Sequence, residues 1–450
     1  MPSDRLPNSR ISLTEYKGEK DQPLVRRLIP FLAVVIAFVV MAVLYLYGPL
    51  GVYRQILRIW GIRPYPFVFL DTDTVLSAVR CLREGVDVFV TNPCDAEARV
   101  FDYSPLWLLL AKLPPWMTEL VPTGLIVDAG FFLSLLLLPV GRTRRESGLI
   151  ALAAISTASA FAVERANNDL VLFTLCAVAA ALASRSKGLR LVGYGAALLA
   201  GLLKYYPLTT LAIASREKPG RFALVVCLVL AFIGLFLLTM GHDLHRALKL
   251  IPTGIWFGDM FGSSTVAGGL SELLGWSSSM QSLVHVAMCL AALLWALWLA
   301  TRAEFIAAIN GLDETQRHFL LVGALLVISC YFAAQNIGYR SVHLIMVMPP
   351  LLALANRPQG SLLLRWSPVL ALILLWTEGW RYWVQKLDKI VDASEAIRIA
   401  TWTVRETVWW TLIPVLIACV TVLLVHSEMG RIVFGQIGKR SPAPKLANGI

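Results

Sequence analysis

Residues 223–240 read ALVVCLVLAFIGLFLLTM, a run with no charge and no strand-like alternation. A second run, residues 31–47, reads FLAVVIAFVVMAVLYLY and has the same character. Each approaches the ~20 apolar residues that carry an α-helix across a bilayer. In hydrocarbon every backbone N–H and C=O must find its partner within the chain, which leaves helices or closed barrels. Unalternating runs choose the helix. The expected fold class is all-α: a polytopic transmembrane helical bundle.

Composition agrees. The chain has 450 residues, 57% hydrophobic and 15% charged, against about a quarter charged in soluble domains. Its net charge of +11 is not a nucleic-acid signal, because Lys and Arg cluster in short connectors of the kind that stay cytoplasmic. The leader 1–27 carries six basic residues and reads as a cytoplasmic tail. No small-x-small cleavage site follows the first apolar run, so a retained span is expected there.

The positive-inside rule sets the path. Spans are expected at 28–50, 119–140, 148–163 and 170–184, with a long first extracytoplasmic loop, 51–118, carrying short amphipathic helices. Residues 191–215 read best as a short hairpin of two helices broken at 204–207, with Lys204 near its outer tip. Further spans are expected at 222–240, 281–300, 319–334, 342–355, 362–377 and 408–426, the last followed by a basic tail, 427–450. That makes about twelve spans (range 10–13) within 28–426, with both termini cytoplasmic. Of the seven cysteines, five lie in apolar runs; Cys81 and Cys94 share the first loop, where a disulfide could form in an oxidising compartment.

Most unusual polar groups fall at the outer span ends: Asp71, Asp73, Asp102, Glu164, Arg165, Asn167, Lys204, Asn336, Tyr339, Arg340 and His343. Taken singly, each reads as a snorkelling side chain or a helix-end ion pair; convergence on one face favours function. Asp73 has a structural role available, as cap of a helix over 74–84. Asp71 then lacks one, and suits a general base. The Asp-x-Asp pair could alternatively hold a divalent ion, although no cofactor is expected. Lys204, Arg165 and Arg340 supply positive charge for a phosphate. His242, His245, His285 and His343 are scattered and read as structural.

The stretch Asp71-Thr-Asp-Thr-Val-Leu-Ser-Ala-Val-Arg-Cys-Leu-Arg-Glu-Gly85, then Tyr103-Ser-Pro-Leu106, Arg165-Ala-Asn167-Asn-Asp169 and Leu203-Lys204-Tyr-Tyr-Pro207, resembles glycosyltransferase family 87. These are GT-C class bacterial mannosyltransferases that use polyprenyl-phosphate-mannose. The resemblance covers roughly residues 60–215 in order and spacing. It departs where Thr72 replaces an aromatic residue, and where Ala333–Arg340 replaces a later Ser/Trp/His-containing element. The resemblance implies a polyprenyl-phosphate-linked sugar donor, a glycolipid or glycan acceptor, a bacterial inner membrane and an inverting reaction. Asp71 would be the base, with Lys204, Arg165 or Arg340 on the leaving phosphate; Asp73, Tyr103, Asn167, Asn336 and Tyr339 would complete the substrate site. The rival reading is a transporter or flippase of lipid-linked saccharides, which would favour short loops, internal symmetry and mid-bilayer charges. A non-catalytic assembly protein is a third.

Overall fold

The structure is a computed structural model that describes residues 23–439 apart from 252, 254, 255, 358–360, 392 and 393. Most of the leader and the tail residues Arg440 and Lys445 lie outside the described residues. Helix dominates. The one sheet among the described residues is a two-residue antiparallel pairing, Met260 with Ile337 and Phe261 with Asn336.

The chain opens with α1 (Pro23–Tyr47), followed by the amphipathic α2 (Leu50–Ile59), which buries Tyr53 and Leu57. Next come α3 (Leu70–Arg83) and α4 (Leu120–Ser134). A bent pair, α5 (Arg144–Ala154) and α6 (Thr157–Glu164), turns by 46°. Ser156 caps α6 by accepting from the Ser159 N–H, which gives the break a local cause. After α7 (Asn168–Ala183), α8 (Lys187–Lys204) ends at Tyr205, whose φ is +27°. The chain then returns along α8 as a 3-10 helix, Tyr206–Arg216. Glu217 closes the open end of this hairpin, taking Arg190 at 3.2 Å and the Tyr194 hydroxyl at 2.8 Å. The hairpin expected at 191–215 is therefore present, with Lys204 at its tip.

The remainder comprises α9 (Pro219–Lys249), α10 (Thr265–Leu274), α11 (Ser278–Ala300), α12 (Ala303–Asn310), α13 (Glu314–Ala333) and α14 (Leu344–Ala355). Last come α15 (Leu362–Leu375), α16 (Thr377–Val391), α17 (Ser394–Val425) and α18 (Glu428–Lys439).

Among the described residues, seven helices of 18–32 residues are long and apolar enough to cross a membrane, or nine if the bent pairs α5–α6 and α15–α16 each count as one span. The other three apolar stretches, α7 and the two hairpin arms, are helical but fall short of that test. The outward faces of the long spans suit lipid: on α1, Ile36 is 61% exposed, and on α9, Leu238 is 88% exposed. Contiguous apolar surface of this kind is foreign to a water-solvated monomer. The interior is α13 and α14, with every residue of Leu344–Leu354 buried.

Several helices outrun their expected spans. At 1.5 Å per residue the 31-residue α9 is about 46 Å long, more than the ~30 Å hydrocarbon core. Its last turns reach the first loop, where Arg246 meets Asp87 at 2.5 Å and lies over Phe89. Likewise α17 starts at Ser394, well before the span expected at 408–426.

The two ends of the bundle differ. One gathers the basic connectors: Arg26 donates to the Arg142 carbonyl, Asn356 to Glu146, Arg357 to the Gly311 carbonyl, and Arg216 pairs with Glu314. The other carries α3, the hairpin tip and the polar groups described below. There the first loop has its own small core of Val75, Ala78, Val88, Phe89 and Phe101, and Cys81 and Cys94 are disulfide-bonded.

Candidate active site

Two buried carboxylates organise the polar end, one held by a single guanidinium and an amide and the other by two cations. The first is Asp71. Helix α3 starts earlier than the sequence suggests, because Phe69 takes the left-handed conformation (φ +65°) as its N-cap. That geometry is imposed by the turn after α6. The Phe69 N–H donates to the Glu164 carbonyl, the Asp71 N–H to the Arg165 carbonyl, and the Thr72 hydroxyl to the Ala166 carbonyl. Ala166 itself sits at φ +42°. The clamp puts Asp71 in the first turn, where the helix dipole favours an anion.

Both Asp71 oxygens are held from one side. Arg165 Nη1 lies 3.1 Å from Oδ1, and Asn167 Nδ2 donates to Oδ2 at 2.5 Å. Asn167 is fixed in turn as the N-cap of α7, its carbonyl oxygen accepting from the Asp169 N–H at 2.8 Å. Arg165 is buried and stacked, with its guanidinium 4.2 Å from the Tyr65 ring centre and 4.7 Å from that of Phe161. Each carboxylate oxygen accepts more than one hydrogen bond, so lone pairs remain for an incoming hydroxyl.

The second carboxylate is Asp169, fully buried on α7. Lys204 Nζ lies 2.7 Å from Oδ2 and Arg340 Nε 3.3 Å from the same oxygen. The Tyr206 hydroxyl donates to Oδ1 at 2.5 Å and meets His343 Nε2 at 2.8 Å. With its one proton given to Asp169, Tyr206 can only accept from His343, which assigns the imidazole proton to Nε2. Arg340 is also held by Asn336 Oδ1 at 2.7 Å, while Asn336 Nδ2 donates to the Cys330 and Ala334 carbonyls. Two cations against one carboxylate leave this cluster with spare positive charge.

Tyr103 and Tyr339 lie between the two centres. Asp71, Asp102, Tyr339 and Arg340 all act on the Tyr103 hydroxyl, and Lys204 is 6.0 Å from its ring centre. Burial, with the Asp71 charge, pushes that hydroxyl well above its usual range, so it stays a hydrogen-bond donor. Tyr339 is buried, has Asp71, Arg165, Asp169 and Arg340 as charged neighbours, and packs edge-on against Phe161. Ser104 secures the loop beneath, donating to the Leu202 carbonyl at 2.7 Å.

Asp102 faces this space as well. Burial raises its carboxyl above the usual range, against the opposing pull of Lys204, Arg340 and Arg99. A raised folded-state pKa means the fold favours the neutral acid, so stability is lost as pH rises through the interval. Asp102→Asn is therefore expected to raise the melting temperature at about pH 7.5 and to match the parent at about pH 4. Melting curves at both pH values check this; equal differences at both would overturn it.

Set against the sequence expectations, Asp71, Arg165, Asn167, Tyr103, Tyr339, Lys204, Arg340 and Asn336 converge on one end of the bundle. Three roles change. Asp73 is not a cap: it lies inside the first turn of α3 and pairs with Arg80 at 3.1 Å. Arg165 is committed to Asp71, so it positions that carboxylate instead of waiting for a phosphate. His343 is not a lone structural histidine but part of the Asp169 cluster. Asp102 joins the site as one of the outer polar groups, whereas Asp169 and Tyr206 carried no expectation of membership. Asp169 offered one signal, a carboxylate two residues past an N-capping Asn at the head of an apolar helix.

For a metal, Asp71 and Asp73 turn to different guanidiniums, which a divalent ion would have to displace. Among the described residues the one group with ligand-like proximity is Cys81, Glu84 and Cys94, and its two sulfurs are bonded to each other.

An apolar groove of about 260 Å³ runs down from this end between α1, α4 and the α5–α6 bend. Phe38, Tyr45, Leu125 and Val163 line it, and Phe69 and Glu164 lie at its head. Glu164 in that lining directly precedes Arg165. No family model, curated protein or solved structure matches the chain.

Proposed function

We propose that the chain is a membrane glycosyltransferase. It moves a sugar, mannose or another hexose or pentose, from polyprenyl phosphate to a lipid or glycan acceptor at the extracytoplasmic face, with inversion. The bundle crosses the membrane about twelve times with both termini cytoplasmic, which puts the basic connectors inside. One observation carries the reading: a fixed carboxylate, Asp71, stands beside a cation-rich centre at Lys204 and Arg340, with Tyr103 and Tyr339 between them.

That pairing matches what the reaction needs. Asp71 takes the proton of the acceptor hydroxyl as its oxygen attacks the anomeric carbon. The bond from that carbon to the phosphate oxygen breaks on the opposite face, and Lys204 and Arg340 neutralise the departing polyprenyl phosphate. Asp169 holds the two cations against their mutual repulsion. The groove that ends at Phe69 and Glu164 suits the hydrocarbon tail of a lipid substrate.

The test is reconstitution in proteoliposomes with a panel of polyprenyl-phosphate sugars and a crude glycolipid acceptor. Loss of one donor with stoichiometric release of polyprenyl phosphate is the expected result. Movement of the intact donor between leaflets, without release of polyprenyl phosphate, would replace the transferase with a flippase.

A further inference from the structure

A charged cavity that includes Arg63, whose guanidinium lies 6.0 Å from the Tyr65 ring centre, takes no part in the chemistry above. It measures about 440 Å³ and is lined by Arg58 in the last turn of α2 and Arg63 just after it, by Glu378 and Arg381 of α16, by Arg398 of α17, and by Asp259. The geometry points to an anion site here, built for a phosphate-bearing ligand.

Charge is the first argument. Four guanidiniums face two carboxylates, and only Arg381 is paired inside the cavity, with Glu378 at 3.1 Å. Arg58 and Arg63 are exposed and have no carboxylate within 4 Å among the described residues. Arg398 reaches Glu395 only at 3.7 Å and otherwise lies over the Phe257 ring.

Construction is the second. Arg381 is 4% exposed; it donates to the Gly258 carbonyl at 2.7 Å and to the Phe257 carbonyl at 2.9 Å. Arg405 braces the same Gly258 carbonyl at 2.8 Å. Arg381 Nε is nevertheless buried without a hydrogen-bond partner. A buried unsatisfied donor is costly, and a ligand oxygen would relieve it.

Ligand chemistry follows from the number and kind of donors. Guanidinium forks bind phosphate oxygens two at a time, and a single carboxylate would leave most of this set idle. The volume falls within the ~300–1,000 Å³ of ordinary small-molecule sites, which leaves room for a headgroup around the phosphate. Position adds a further point. Arg63 and Arg165 lie over the same Tyr65 ring, at 6.0 and 4.2 Å, so the cavity is a neighbour of the Asp71 centre. The inference does not rest on the transferase reading.

Native mass spectrometry of the full chain in detergent tests it, with dioctanoyl phosphatidic acid as the probe. Wild type is expected to hold one copy at least tenfold more tightly than the double variant Arg58→Gln/Arg63→Gln. Arg398→Gln, an exposed change on the facing helix, is a separate variant expected to weaken binding in the same direction. Asp71→Asn should bind like wild type. Competition by inorganic pyrophosphate would mark a free phosphate as the ligand; binding that pyrophosphate cannot displace would mark a lipid headgroup. Equal affinity in wild type and in either glutamine variant, each with an unchanged melting temperature, overturns the proposal.

Discussion

Replacing Asp71 with Asn is expected to slow sugar transfer by about 10²–10⁴-fold, the usual contribution of a positioned general base. The carboxamide is isosteric, so geometry survives while the proton acceptor is lost. One local cost is foreseeable. Asn167 Nδ2 donates to Asp71 Oδ2 at 2.5 Å and cannot flip, because its carbonyl oxygen is engaged by the Asp169 N–H. An amide NH2 at that point would oppose a second donor, a loss of about 1 kcal/mol. The melting temperature should therefore fall slightly, far less than activity. Asp73→Asn is the control: its partner Arg80 is 43% exposed, and a screened pair of that kind is worth little. Release of polyprenyl phosphate, timed for both variants, is the measurement. A D71N protein as active as wild type removes Asp71 from the mechanism.

Replacing Asp169 with Ala is expected to destabilise the fold by about 3–5 kcal/mol, as breaking a buried ion pair generally does. Lys204 and Arg340 would be left facing each other in a buried site without their shared carboxylate, and Tyr206 would lose its acceptor. A repair experiment separates charge from packing. Adding Lys204→Met to Asp169→Ala removes one orphaned cation, and the double variant should regain part of the lost melting temperature. The buried thiols of Cys176, Cys330 and Cys419 provide the readout, since a thiol-reactive dye labels them only when the bundle opens. An Asp169→Ala protein that melts like wild type would show that the two cations do not depend on this carboxylate.

The helical bundle could be read from unalternating apolar runs, because lipid solvation leaves a chain few other choices. Which residues share the polar end was also legible, since charges are tolerated chiefly at span ends. The pairings were not. Asp169 reaches Lys204 across 35 residues, and Asp71 reaches Asn167 across 96; no local rule connects such positions. The start of α3 escaped for a different reason. An apolar residue in the left-handed region is a poor N-cap by sequence preference, and Phe69 adopts it because carbonyls from the turn after α6 hold the following N–H groups. The bend between α5 and α6 turns on one hydroxyl, the Ser156 cap, inside an apolar run that hydropathy reads as continuous.

The clamp between the start of α3 and residues 164–166 separates two things that are adjacent in sequence. Asp71 takes its position from a backbone splice to a distant turn, whereas the segment from Gly85 onward hangs from the far end of α3, behind its own sulfur bridge. Asp71 is thus anchored independently of the part of that segment behind the bridge, while Ser104 is tied separately to the Leu202 carbonyl. The architecture is partly modular: residues 86–98 precede Asp102 and Tyr103, and are the stretch of this loop where exchange disturbs the polar centre least.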